Sequence, residues 1–170
     1  MSMAPGARKF MLTAHVVSSL GWLGAVVVYL ALVVAALSTN DPEAVRAAWW
    51  ALQVALWFVI IPLSLVSLLS GIVQGLGTPW GLFRHYWVLF KLLLTVFAIA
   101  ILLLHVPTVI SLAAAAARQP RVDPGGLVGE LVHGGGGLLV MLVITTLSVY
   151  KPRGETGFGR RNRLRPQRRS

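Results

Sequence analysis

The run from Leu127 to Tyr150, LVGELVHGGGGLLVMLVITTLSVY, carries Glu130, His133 and four consecutive glycines, Gly134 to Gly137, in its first half. A carboxylate and an imidazole are expensive in hydrocarbon, and each glycine weakens a helix by roughly 1 kcal/mol relative to alanine. A second histidine, His105, lies in the preceding apolar run. Two histidines on adjacent antiparallel helices at one depth could clamp a planar metal complex, with haem b held by two axial imidazoles as the leading case. Gly134, Gly136 and Gly137 would then leave the helix face bare where a porphyrin edge needs room. Glu130, one turn from His133, would accept its ring proton. The same residues, with Tyr29, could instead bind a metal or other cation, since imidazole serves either role.

Residues of this kind act only if long elements hold them at one level. The chain has 170 residues, 56% of them hydrophobic and only five acidic, and its mean hydropathy is +0.77. That composition belongs in a bilayer, where a hydrocarbon core of about 30 Å takes about 20 apolar residues per helical span. Four runs qualify, at 10–37, 49–76, 87–112 and 127–150, and they predict an all-α, four-transmembrane-helix antiparallel bundle. Residues 1–9 form an arm, 10–150 the membrane domain and 151–170 a basic tail, read as disordered or attached to anionic headgroups. Ala113 to Ala117 should extend the third helix, and Asp123-Pro124-Gly125-Gly126 should turn into the fourth. The apolar run at 10–37 is too long for a signal-peptide core of about 7–15 residues. Without cysteine, disulfides, thiolate metal sites and iron–sulfur clusters are excluded.

Of the fifteen basic residues, twelve fall on the side of the termini, eight of them after the last span. Only Arg46, Arg118 and Arg121 fall opposite. Both termini are therefore expected in the cytoplasm. The net charge of +10 reads as a membrane anchor, not as a nucleic-acid surface.

If each run is centred on the midplane and rises 1.5 Å per residue, His133 lies roughly 8 Å toward the outer side. His105 reaches the same height if Lys91 snorkels to the inner headgroups, Trp57 and Tyr29 also fall near it, and Gln53 and Glu130 come about 5 Å above. His15 and His85 suggest a second, inner pair, but their depths differ by about 9 Å. Gln53, Trp57, Ser64, Ser67, Gly71 and Gln74 share one face of the second helix at spacings of three, four or seven. Pro62 and Pro107 should kink their helices without breaking them.

His15 followed by Leu20-Gly21-Trp22-Leu23-Gly24, then Gly77-Thr78-Pro79-Trp80-Gly81-Leu82-Phe83-Arg84-His85-Tyr86-Trp87 and the Lys91 helix, resembles an uncharacterised family of bacterial, chiefly actinobacterial, integral membrane proteins. The resemblance covers most of the membrane part and implies a multi-pass protein of the bacterial cell membrane. More loosely, the His…Gly-Trp-x-Gly opening is similar to copper-resistance protein D-like membrane domains and to small four-helix b-type cytochromes. The chain lacks cysteine and a methionine cluster, the soft ligands that select Cu(I). Three readings follow: a haem-b electron carrier or haem-handling protein with a redox or membrane partner, a metal-ion or small-solute transport protein, and a non-catalytic scaffold or accessory subunit. No nucleophile, base and orienting group fall at one level, which argues against an enzyme with chemistry of its own.

Overall fold

A computed structural model of the chain describes residues 3–77, 81–118, 124–152 and 154–164. In a bilayer every backbone N–H and C=O must be bonded within its own segment, so each apolar run becomes a helix. The elements are α1 (Pro5–Leu37), α2 (Pro42–Ala55), a π-helical turn (Leu56–Ile60), α3 (Ile61–Gly77), α4 (Tyr86–Arg118), α5 (Pro124–Tyr150) and a short α6 (Gly157–Leu164). α2, the π turn and α3 make one continuous rod. This rod, α1, α4 and α5 are each long and apolar enough to cross a membrane, giving the four-helix bundle that the hydropathy pattern predicts.

The helices start where the sequence lets them. Pro5 and Pro42 occupy first-turn positions, where the N–H that proline lacks would have no helical partner. Asp41 caps α2, its Oδ1 accepting the Glu43 N–H at 3.0 Å. α1 thus begins at Pro5, ahead of the apolar run that opens at Phe10, and the rod at Pro42, ahead of the run that opens at Trp49. The Thr78 to Trp80 part of the inner turn and the Asp123 part of the third connection lie outside the described residues.

Each span packs against the next, and α5 closes on α1. Trp49, Leu52, Val33, Val109 and Leu127 are fully buried, all in the half of the bundle away from the termini, called here the distal half. The π turn sets the register of the rod. It lies directly before Pro62, whose ring would press on the carbonyl one turn earlier and which offers it no N–H. The extra residue shifts the inward face of α2 back by one position. Leu52 and Leu56 point inward, and Trp57 is 48% exposed. Beyond the turn, Ser64 and Ser67 hold the inward face that their spacing predicts.

Near the termini α1 and α3 meet along a polar seam. Gln74 Nε2 donates to the Met11 carbonyl at 3.0 Å. The His15 Nδ1 atom is 3.0 Å from the Ser67 carbonyl and 3.2 Å from Ser70 Oγ. Ser19 Oγ meets Ser67 Oγ at 2.8 Å. The Lys91 ammonium lies 5.4 Å from the centre of the Trp87 ring.

The tail departs from the expected disorder over residues 154–164. Lys151 takes a left-handed turn with φ 43, and the chain folds back onto the loop before α4. Thr156 N–H donates to the Arg84 carbonyl at 2.9 Å, and the Thr156 hydroxyl donates to the Phe83 carbonyl. His85 and Glu155 form an antiparallel bridge. Thr156 Oγ1 also accepts the Gly159 N–H at 3.2 Å, capping α6.

Candidate functional site

Spacing alone carries three residues of α1 to one face: Trp22, Val26 and Tyr29, four and three apart, are all buried. Glu130 comes from the first turns of α5 and is 1% exposed. The Tyr29 hydroxyl donates to Glu130 Oε2 at 2.7 Å. From α4, His105 Nε2 donates to the same carboxylate, 2.9 Å from Oε1 and 3.1 Å from Oε2. Two charge-assisted or short hydrogen bonds are what make a carboxylate tolerable at this burial. The His105 ring then stacks on His133, their centres 3.7 Å apart and their planes 15° from parallel.

Tyr29, His105, Glu130 and His133 therefore meet in one cluster, with Glu130 joining the rings that its expected depth set about 5 Å below it. Their pairing differs from the expected one. Glu130 takes its ring proton from His105 across the helix interface, not from His133 on its own helix. Residues three apart on a helix are neighbours, but the carboxylate points along the α4 contact and leaves His133 behind. Among the described residues His133 forms no hydrogen bond, and it lines a cavity of about 370 Å³.

That cavity is walled by Trp22, Val26 and Tyr29 from α1, Leu56 and Ile60 from the rod, Phe97 to Val109 positions of α4, and Val132 to Met141 positions of α5. Phe97 is 57% exposed and Val132 72% exposed although both line it. The cavity thus opens sideways between α4 and α5, the two spans that bury the smaller share of their surface.

The glycine run divides between two duties. A Cβ on Gly134 would lie 2.9 Å from Leu30 Cδ2, so this glycine lets α5 approach α1. A Cβ added to Gly136 or Gly137 would meet no atom of another element or side chain within 4 Å, and both line the cavity. They keep a wall flat and a space open. Trp57, on the outward face after the register shift, does not line the cavity. Trp22 occupies the aromatic place instead, and its spacing of seven from Tyr29 is the signal that would have found it.

His15 and His85 are not brought together. His15 is engaged with Ser67 and Ser70 and packs on Gly71, whose added Cβ would lie 3.1 Å from its Cε1. His85 belongs to the loop held by Glu155.

The haem expectation can be tested against this arrangement. Axial imidazoles approach an iron edge-on from opposite faces of the macrocycle. His105 and His133 lie face to face at 3.7 Å with no space for a porphyrin between them, and Glu130 holds His105 Nε2. Among the described residues no lysine or arginine lines the cavity to receive two propionates. The residues do not fit haem b as an axial pair. Nor, among the described residues, does any group of three or more histidine, aspartate or glutamate side chains gather around a common cation position.

The fold and site define a multi-pass helical membrane protein with a buried carboxylate–imidazole cluster beside an apolar, laterally open cavity. Comparison with protein-family models, with curated proteins and with solved structures finds no match to this chain.

Proposed function

We propose that this chain is a membrane protein that binds a lipid-soluble small molecule in the mid-bundle cavity, with His133 as the group that meets it. One observation carries the reading: an imidazole with no hydrogen-bond partner among the described residues faces an apolar space that opens to the bilayer. His133 is half-buried, and a ligand that enters the cavity from the bilayer can supply the hydrogen-bond partner that apolar surroundings do not. The Tyr29–Glu130–His105 chain holds the stacked ring in place, as supporting hydrogen bonds do for functional imidazoles. A cavity of this size lies within the range of small-molecule sites, which run from about 300 to 1,000 Å³.

The same reading places the bundle in the bacterial cell membrane with both termini in the cytoplasm, from the twelve-to-three distribution of basic residues. Arg160 and Arg161, both exposed on α6, then face anionic headgroups of the inner leaflet.

Photolabelling tests the cavity. Protein in lipid nanodiscs is irradiated with a neutral diazirine-bearing naphthalene, and labelled residues are mapped by mass spectrometry. Saturable labelling of α4 and α5 near Phe97 and Val132, suppressed by excess plain naphthalene and lost in Gly136→Leu, is expected. Labelling spread over all lipid-facing surfaces and indifferent to Gly136→Leu overturns the reading.

A further inference from the structure

The class of ligand can be taken further from the charges and donors around the cavity, resting on the reading just proposed. Among the described residues no arginine or lysine lines the cavity, and the Glu130 carboxyl group lies behind the imidazole pair. An anionic ligand would meet repulsion with no compensating cation. A cationic one would find Glu130 1% exposed and already accepting from Tyr29 and His105. Neutral molecules remain.

What a neutral ligand can bond to is His133. A neutral imidazole donates through one ring nitrogen and accepts through the other, so it can serve either a carbonyl or a hydroxyl. Stacking on His105 fixes the plane of the ring, and Glu130 and Tyr29 fix His105. The space beside it is shaped for a flat body: Trp22 and Phe97 supply aromatic walls, and Gly136 and Gly137 supply a surface with no side chains. Through the gap between α4 and α5, where Phe97 and Val132 are exposed, an apolar chain attached to such a ring can run into the bilayer.

We propose that the cavity takes a neutral, lipid-soluble ring carrying carbonyl or hydroxyl groups, of the quinone and quinol class, with one oxygen hydrogen-bonded to His133 and its tail leaving between α4 and α5. Binding alone is meant, and no electron transfer is assigned to the chain.

The test uses the full chain in nanodiscs and a decyl-substituted benzoquinone labelled with 13C at the carbonyls. Infrared difference spectra should show a carbonyl stretch shifted down relative to the quinone in lipid alone. His133→Leu should abolish that shift and weaken binding at least ten-fold, whereas His133→Gln, which keeps an N–H donor, should retain part of both. Decylbenzene, with the same tail and no oxygen, should bind more weakly than the quinone and should not respond to His133→Leu. Equal binding of the two compounds overturns the ligand class while leaving an apolar cavity. Ferric haem that displaces the quinone and gives a Soret band lost in His133→Leu overturns the class in the same way. If Gly136→Leu changes the binding of none of the three, the cavity reading itself falls.

Discussion

Glu130 shows how a bilayer protein keeps a carboxylate almost completely buried. Its two partners differ in kind: Tyr29 offers one neutral donor at 2.7 Å, while His105 spans both oxygens at 2.9 and 3.1 Å. Single interhelical hydrogen bonds in membranes average about 0.6 kcal/mol and reach about 1.7. Tyr29→Phe should therefore lower stability by about 0.6–1.7 kcal/mol. His105→Ala should lower it by more, because a buried carboxylate missing its main partner is the costlier remainder. Adding Glu130→Ala to His105→Ala should recover part of the loss. Unfolding of the purified proteins in mixed micelles checks this, and strictly additive losses would show that the two groups do not act as a pair.

At the scale of elements, a π turn and a clasp do what composition does not announce. The turn at Leu56–Ile60 moves Trp57 outward and brings Leu56 and Ile60 to the cavity wall. The clasp ties the chain after α5 to the loop before α4 through Thr156, and it depends on a glycine. A Cβ on Gly159 would lie 2.6 Å from the Arg84 carbonyl oxygen, a backbone atom that cannot swing aside. Gly159→Ala should therefore release α6, and Thr156→Ala should do so more mildly by removing the cap, worth about 1 kcal/mol. Amide exchange should rise over 154–164 and 83–86 in both variants with α1 and α5 unaffected. Unchanged exchange in Gly159→Ala would mean that the clasp does not hold in the bilayer.

For the whole molecule, the question is which way the bundle faces. Fifteen basic residues divide twelve to three between its two ends, a bias that sets orientation during insertion. A cysteine placed at Ser170 should be shielded from impermeant thiol reagents in intact cells, and one placed at Asn40 should react. The native chain has no cysteine to confuse the result. The reverse pattern would put the Tyr29–Glu130–His105 cluster in the cytoplasmic half and α6 on the outside.

By itself the sequence determined the four spans, their all-α class and the similar depths of Tyr29, His105 and His133, with Glu130 about one turn above them. These follow from hydropathy, helical rise and bilayer thickness, which act along each helix separately. Only the tertiary structure decided rotation about the helix axes. One added residue in the π turn took Trp57 out of the site, and the angle between α4 and α5 gave the Glu130 carboxylate to His105 and left His133 facing the cavity. It also gave Gly134 to packing against Leu30 and left Gly136 and Gly137 to the open space. Side-chain depth is a property of one helix, whereas side-chain partnership depends on the crossing of two, and linear spacing carries no information about that crossing.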